Sequence, residues 1–186
     1  NALLYDPEKE EIIDYVNGYA DIQAKKLRII GDPEQRYRED PVRMLRAVRL
    51  ASKLGLHIEE NTALPISKLA PLLQNVPESR LFDEMLKLLL SGCALTCVTE
   101  LRARGLHHGL LPLLDTILEQ PLGKQFITLA LKNTDERIQQ SKPVSAGFLF
   151  ATLLWHEVLS SWNALRGRGE QTFPALFSAI NQTLAI

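Results

Sequence analysis

The sequence predicts a mainly α-helical fold that is preceded by a small β-containing segment. Beyond residue 56, leucines and methionines recur at helical spacing, as in the stripe that joins Leu81, Met85 and Leu88, and such stripes are typical of buried helix faces. Before residue 32, short β-branched and aromatic runs alternate with turn residues, which favours strands. Hydrophobic residues make up 46% of the 186, so the chain can bury a substantial core.

The first 31 residues are predicted to form strands around a turn. The apolar runs 2–5 and 12–16 flank the turn-like segment 6–10, so we expect them to pair as a hairpin. A short helix is predicted over residues 20–25 and a further strand over 27–30. Gly31, Asp32 and Pro33 end that strand.

From Pro33 onward the pattern is helical. A helix is predicted over residues 41–55, because Pro41 suits a first turn and Gly55 suits the position that ends a helix. The apolar side chains of this helix fall on one face: Met44, Leu45, Val48 and Ala51. Further helices are predicted over 61–74, 77–91, 94–104, 113–120, 123–140, 144–165 and 173–185, with a flexible basic loop at 166–169.

The opposite face of the helix at 41–55 carries Arg43, Arg46 and Arg49. Nine basic and four acidic residues lie between Lys25 and Lys53, although the whole chain has a net charge of −1. Guanidinium groups bind phosphate oxygens through two parallel hydrogen bonds, so this face predicts an anionic ligand such as a nucleotide or nucleic acid. The alternative is a solvated face balanced by carboxylates, which we disfavour because few acidic residues lie nearby in the sequence.

Asp40 and Arg43 lie one helical turn apart at the start of this helix, and they offer one acceptor beside one planar donor. The Watson–Crick edges of adenine and cytosine present an amino donor beside a ring-nitrogen acceptor, whereas guanine and uracil reverse that order. The pair could therefore accept A and C and reject G and U. The alternative is an ordinary ion pair at a helix start, worth a few tenths of a kcal/mol.

Composition excludes several other functions. No apolar run is long enough to span a bilayer. Cys93 and Cys97, four residues apart, are predicted to be free thiols in a helix of a cytoplasmic protein. No cluster of residues has the spacing of metal ligands, so we predict no metal site in this chain. The sequence does not indicate an oligomeric state.

Three motifs occur in a diagnostic order: Gly18-x-x-Asp21, the tetrapeptide Ile-Gly-Asp-Pro at 30–33, and the run from Glu39 to Arg49. In this order the sequence resembles the class II nucleotidyltransferases, the family of bacterial poly(A) polymerases and tRNA CCA-adding enzymes. The stretches at 80–89 and 131–138 are more similar to the poly(A) polymerases.

The resemblance implies a domain order. Residues 1–32 would be the C-terminal remnant of an α/β catalytic head domain, 33–92 a helical neck with the base-recognition helix, and 93–186 a helical body that binds RNA. The matching stretch between Gly18 and Pro33 would be structural and would link head to neck. We therefore predict that the chain is a fragment that lacks most of the head.

The resemblance also implies roles for individual residues. Asp40 and Arg43 would recognise the incoming base, and Arg46 and Arg49 would hold phosphates or support that pair. Glu39 would orient an arginine as a partner at the helix start. Asn1 would belong to the motif that binds the ribose and triphosphate.

The family reaction is nucleotidyl transfer, in which an RNA 3′-hydroxyl attacks the α-phosphate of ATP. Two Mg²⁺ ions held by paired carboxylates assist it. We identify no Asp-x-Asp or Asp-x-Glu pair as a metal site, and Glu8 and Glu10 lie in a charged turn that is predicted to be solvated. We therefore expect the metal-binding carboxylates to precede Asn1 and the chain alone to be inactive.

Three functions follow from the sequence. The first is part of a template-independent poly(A) polymerase that acts on RNA 3′ ends in mRNA polyadenylation, with ATP as its substrate. The second is part of a tRNA CCA-adding enzyme, which the pair of Asp40 and Arg43 does not distinguish from the first because A and C share an edge pattern. The third is a non-catalytic helical RNA-binding module.

Overall fold

The computed structural model describes residues 3–108 and 121–184, excluding the side chains of residues 121 and 122. The chain forms two compact units, Asn1–Leu110 and Leu111–Ile186. Both are built mainly of α-helices, so the predicted mainly-α fold is confirmed. The finer division into 1–32, 33–92 and 93–186 stays a prediction.

The first unit begins with the predicted hairpin. Strand β1 (Leu4–Asp6) pairs antiparallel with β2 (Glu11–Ile13), and helix α1 (Gly18–Gln23) follows. Strand β3 (Lys26–Leu27) then pairs in parallel with β4 (His57–Ile58). The pairing of β3 with β4 was not predicted, because strands of two residues are too short to show an alternating pattern.

Two helices meet at an Asp-Pro step. Helix α2 (Pro33–Glu39) begins after Asp32, whose side chain accepts a hydrogen bond from the backbone N–H of Gln35, and α3 (Val42–Leu54) follows. Between them Asp40 is extended, with φ −150° and ψ 94°, because a following proline disfavours the helical conformation. Helix α3 ends at Gly55, whose φ of 62° suits glycine. The predicted helix at 41–55 is therefore confirmed.

The segment predicted as one helix at 61–74 is broken into shorter pieces. It contains α4 (Glu60–Ala63), α5 (Ile66–Leu69) and a 3₁₀ helix (Ala70–Asn75). Pro65 and Pro71 cause the breaks, since proline lacks an N–H and clashes with the preceding turn. Two longer helices follow at the predicted places, α6 (Glu78–Leu89) and α7 (Ala94–Ala103).

The core of the first unit lies where α3 packs against α6 and α7. The buried face of α3 is the apolar face that the sequence predicts. The large side chains fully buried in these three helices are Met44, Leu45, Leu88, Leu89 and Leu101. The arginine-bearing face of α3 is only partly covered, since Arg43 contacts α2 and Arg46 contacts α6.

Within residues 121–184 the second unit forms three long helices, α8 (Pro121–Gln139), α9 (Ala146–Gly167) and α10 (Thr172–Leu184). Their bounds agree with the predicted helices within three residues. Helices α9 and α10 share a core cluster of Val158, Leu165, Ala175 and Ala179. Residues 166 and 167 belong to α9, so the predicted loop at 166–169 begins too early. The helix predicted at 113–120 lies outside the described residues.

No helix among residues 3–108 and 121–184 is long and apolar enough to cross a membrane.

The side chain of Tyr37 joins α2 to α4. It is fully buried, and its hydroxyl donates a hydrogen bond of 3.0 Å to the backbone carbonyl of Thr62. The hydroxyl of Thr62 in turn accepts from the N–H of Ile29 at 3.2 Å and donates to Glu59 at 3.0 Å. This network holds the residues after β3 beside α2, and both segments line the pocket described below.

We predict that Tyr37→Phe lowers the free energy of unfolding by about 1–2 kcal/mol, because the carbonyl of Thr62 would lose its donor inside the core. Tyr15→Phe is the matched control, since Tyr15 is 80% exposed, and it should change the stability by less than about 0.5 kcal/mol. Urea denaturation followed by circular dichroism measures both. Equal effects of the two substitutions would contradict a role for the buried hydroxyl.

Candidate functional site

A pocket of about 260 Å³ lies between α3 and the segment that follows β3. Its walls are apolar on both sides, with Leu27, Ile29 and Ile30 facing Ala47 and Leu50 of α3. Four arginines also line it: Arg28, Arg36, Arg43 and Arg46. The pocket therefore combines an apolar surface for a flat ring with positive charge for an anionic group.

Arg43 is held at the start of α3 by two contacts. Its Nη1 donates to the backbone carbonyl of Arg36 at 2.8 Å and to Oε2 of Glu39 at 3.1 Å. Glu39 Oε2 also accepts from Arg36 Nη1 at 2.6 Å. The hydrogen bond from Arg43 is the main reason that the pKa of Glu39 lies below its usual value. Glu39 thus contacts the arginine that it was expected to orient, and it adds Arg36, which the sequence prediction did not include.

Asp40 lies in the break between α2 and α3, and its carboxylate is held from two sides. Oδ2 accepts from Nη2 of Arg80 in α6 at 2.8 Å, and Oδ1 accepts from the backbone N–H of Val42 at 3.3 Å. The side chains of Asp40 and Arg43 therefore each bond to other groups, while the backbone N–H of Arg43 donates to the backbone carbonyl of Asp40 at 3.1 Å. This geometry differs from the ordinary ion pair at a helix start that was the alternative interpretation.

Arg46 and Arg49 converge on one buried carboxylate, Glu84 of α6, which is 4% exposed. Its Oε1 accepts from Arg46 Nη2 at 3.1 Å and from Lys87 Nζ at 3.0 Å, and Arg49 Nη2 lies 3.8 Å from Oε2. Burial raises the pKa of Glu84, but the hydrogen bonds and charges of Lys87 and Arg46 outweigh it, so the pKa lies below its usual value. With three cations around one carboxylate, the cluster keeps a net positive charge.

The expectation that few acids balance the arginines is wrong. Glu39 pairs with Arg43, and Glu84 pairs with Arg46 and lies near Arg49. The second partner was missed because it lies 38 residues from Arg46 and meets it only in the folded chain. A signal was present, since Glu84 interrupts the apolar stripe of α6 one turn before the buried Leu88.

Two Asp-x-Glu pairs that the prediction overlooked have the spacing of metal-binding carboxylates, but both are engaged locally. Asp6 Oδ1 accepts from the backbone N–H groups of residues 8 and 9 at 3.0 and 3.3 Å. Asp32 caps α2, and Glu34 pairs with Arg38 and Lys68. Within the described ranges, no group of three or more His, Cys, Asp or Glu residues is placed to hold a metal ion. These residues do not fit Mg²⁺. Asn1 lies outside the described residues.

Comparison with known proteins relates the chain to the poly(A) polymerases. A protein-family model described as "Probable RNA and SrmB- binding site of polymerase A" matches residues 55–118. The chain is 42% identical to poly(A) polymerase I of Haemophilus influenzae over 172 residues, which is 91% of this chain and 38% of that protein. It is 40% identical to poly(A) polymerase I of Escherichia coli O157:H7 over 189 residues, 99% of this chain and 40% of that protein.

The chain is similar to poly(A) polymerase I proteins over nearly all of its own length. It spans about two fifths of the length of these curated relatives. A CCA-adding enzyme of Latilactobacillus sakei is 43% identical over 79 residues, which is 42% of this chain and 20% of that enzyme. The match to the poly(A) polymerases therefore extends over more of the chain than this match to a CCA-adding enzyme.

Solved structures of related proteins share the fold. A tRNA-processing enzyme in its apo form I superposes with a TM-score of 0.59 at 16% identity, covering 100% of this chain and 62% of that one. The CCA-adding enzyme of Bacillus stearothermophilus in complex with CTP gives a TM-score of 0.54 at 23% identity, covering 98% and 56%. The poly(A) polymerase I family and the CCA-adding enzymes thus share this mainly helical architecture.

We predict that Glu84→Gln lowers the free energy of unfolding at pH 7 by about 1–3 kcal/mol, because the cations would lose their charged partner. The pKa of Glu84 is lowered from 4.5 in the folded chain, so its stabilising effect is present above pH 4.5 and is lost as the pH falls through the lower value. Denaturation at a series of pH values should therefore show the wild type and the variant converging below pH 4.5.

Glu100→Gln is the control, because Glu100 is 44% exposed and pairs with Arg104 at the surface. It should cost less than about 1 kcal/mol at pH 7. A constant gap between the wild type and Glu84→Gln from pH 7 down to pH 3 would contradict the role of the ionised carboxylate.

Proposed function

We propose that this chain selects the incoming nucleotide and binds RNA as part of a template-independent poly(A) polymerase, which adds AMP from ATP to RNA 3′ ends. The supporting observation is the apolar pocket with Arg36, Arg43 and Arg46 in its lining and Asp40 at the adjacent helix start. Independent support comes from the similarity to poly(A) polymerase I of Escherichia coli O157:H7, which is 40% identical over 99% of this chain.

The pocket has the size and chemistry for a nucleobase. Its volume of about 260 Å³ is below the range of roughly 300–1,000 Å³ that encloses drug-sized ligands. A base would lie between Ile30 and Leu50, and the sugar and phosphates would extend out of the pocket. The apolar walls exclude water from the base, which strengthens the hydrogen bonds that read its edge.

Asp40 and Arg43 read that edge. The carboxylate of Asp40 accepts from the exocyclic amino group of adenine, and the guanidinium of Arg43 donates to the neighbouring ring nitrogen. Arg43 has five N–H donors, and its Nη1 serves Glu39 and the carbonyl of Arg36, so further donors remain for the base. Guanine and uracil place an acceptor opposite Asp40, and two facing acceptors repel each other.

Arg46 and Arg49 supply positive charge for the phosphates. Arg46 is 44% exposed and uses two of its nitrogens, Nε and Nη2, on Glu84, so part of its guanidinium faces solvent. Glu84 holds Arg46 at the pocket and lies 3.8 Å from Arg49, and it does not cancel their charge, since Lys87 also contributes to the cluster. A guanidinium that is already ordered loses less conformational entropy when it binds phosphate.

The proposal also covers the site of the metal ions and the location of the protein in the cell. The described residues do not fit Mg²⁺, so carboxylates elsewhere in the complete polymerase would hold the ions that polarise the phosphates. Asn1 remains a proposed contact to the ribose and triphosphate. We place the protein in the cytoplasm, because Cys93 and Cys97 are free thiols although their sulfur atoms lie 3.7 Å apart.

CCA addition is the second candidate, because adenine and cytosine present the same edge to Asp40 and Arg43. The match to the CCA-adding enzyme of Latilactobacillus sakei, at 42% of the chain, favours it less than the match to the poly(A) polymerases. A non-catalytic RNA-binding module is the third candidate, and it is disfavoured because RNA binding alone does not require an apolar pocket beside an acceptor and a donor.

We predict that Arg43→Ala lowers kcat/KM for ATP by about 10- to 100-fold, the loss expected for one or two charge-assisted hydrogen bonds. Affinity for RNA should change by less than about twofold, because most of that affinity comes from other cations. The assay uses a protein that contains this chain and is as long as the curated poly(A) polymerase I relatives. Arg38→Ala is the control, since Arg38 pairs with Glu34 outside the pocket. Equal losses in ATP use and RNA binding would reject the base-reading role.

The product distinguishes the two enzyme candidates. We predict that the same protein, given ATP, CTP and Mg²⁺, adds a homopolymer of A to an unstructured RNA primer. Sequencing of the product on a tRNA transcript that lacks its 3′ end provides the comparison. An added CCA that terminates after three nucleotides would reject poly(A) synthesis and support CCA addition.

A further inference from the structure

Helix α6 contacts the arginine-bearing side of α3 at two points, one turn apart. Arg80 Nη2 lies 2.8 Å from Oδ2 of Asp40, and Glu84 Oε1 lies 3.1 Å from Nη2 of Arg46. Arg46 lines the pocket, whereas Asp40, Arg80 and Glu84 are not among its lining residues. Asp40 lies at the helix start beside the pocket, and Arg80 approaches it from a separate helix.

We propose that Arg80 is a positioning residue that determines base specificity by fixing the carboxylate of Asp40. This inference rests on the proposed function, in which Asp40 accepts from the amino group of the base. Arg80 would act through Asp40 and would itself make no contact with ATP.

The backbone around Asp40 explains why its carboxylate needs this partner. Asp40 is extended between two helices and its side chain is only 16% exposed, so its carboxylate needs partners within the fold. Its other oxygen has only a long bond of 3.3 Å to the N–H of Val42. The bond from Arg80 at 2.8 Å is the shorter of the two and comes from a separate helix, so it sets the direction of the carboxylate.

A fixed carboxylate rejects the wrong base more strongly than a mobile one. Guanine places its carbonyl oxygen where adenine has an amino group, so a held Asp40 oxygen faces another acceptor. A mobile carboxylate could rotate away and relieve that repulsion. Specificity depends on this penalty against the competitor as well as on attraction to the correct ligand. Loss of Arg80 should therefore reduce the discrimination between ATP and GTP more than it reduces the use of ATP.

Glu84 should keep α6 in place when Arg80 is replaced, so the positioning role of Arg80 can be tested in a folded protein. It anchors α6 to α3 through Arg46, and the apolar contacts of Met85 and Leu88 add to that anchor. The side chain of Arg80 is 45% exposed, so its replacement leaves no large cavity in the core. Variants at Arg80 should therefore fold, and the midpoint of thermal unfolding would verify that they do.

The test compares Arg80→Met with Arg80→Lys in the protein at the length of its curated relatives. The measured quantity is the ratio of kcat/KM for ATP to kcat/KM for GTP. We expect Arg80→Met to lower the ratio by about tenfold or more, and Arg80→Lys to stay within about threefold of the wild type, because the single contact to Oδ2 needs one donor rather than a fork. Arg38→Met, which removes a surface arginine of α2, should leave the ratio unchanged.

Two results would overturn the proposal. The ratio could remain unchanged in a folded Arg80→Met protein, or it could rise, which would mean that Arg80 competes with the base for Asp40. Asp40→Asn separates this failure from failure of the proposed function. If Asp40→Asn lowers the ratio and Arg80→Met does not, only the positioning role is rejected. If Asp40→Asn leaves the ratio unchanged, Asp40 does not read the base and both proposals fall.

Discussion

The buried carboxylate of Glu84 is the interaction on which the rest of the candidate site depends. A carboxylate that is 4% exposed would be costly to fold without partners, and it finds them in Arg46 and Lys87, with Arg49 nearby. Because Glu84 lies on α6 and both arginines lie on α3, the same contacts fix the rotation of α3 in the first unit. Its apolar face then meets the core, and its polar face completes the pocket.

The Asp-Pro step at residues 40 and 41 adds a second constraint. Proline excludes the helical conformation at Asp40, so α2 and α3 form two helices rather than one, and Arg36 and Arg43 come together across the break. Glu39 then bonds to both arginines. In a single continuous helix, Asp40 would have helical backbone angles. The break instead leaves its carboxylate free to be directed by Arg80 from another helix.

The features that depend on neighbouring residues could be predicted from the sequence, whereas contacts between residues far apart in the chain could not. Helix α3, its ends and its buried face follow from apolar periodicity with Pro41 and Gly55, and the structure confirms them. The pocket could not be predicted, because β3, α2, α3 and α4 meet there only after folding. The partners Arg80 and Glu84 were missed for the same reason, since they lie 40 and 38 residues from Asp40 and Arg46. The break at Pro65 was visible in the sequence, because proline lacks the N–H group that a continuous helix needs.

The central claim is that the pocket between α3 and residues 27–30 holds the base of ATP. A crystal structure of the protein with ATP tests it most directly. We predict adenine between Ile30 and Leu50, with its amino group within 3.2 Å or so of a carboxylate oxygen of Asp40, a normal hydrogen-bond distance. A structure in which adenine occupies another surface, while this pocket is empty or filled by side chains, would contradict the claim.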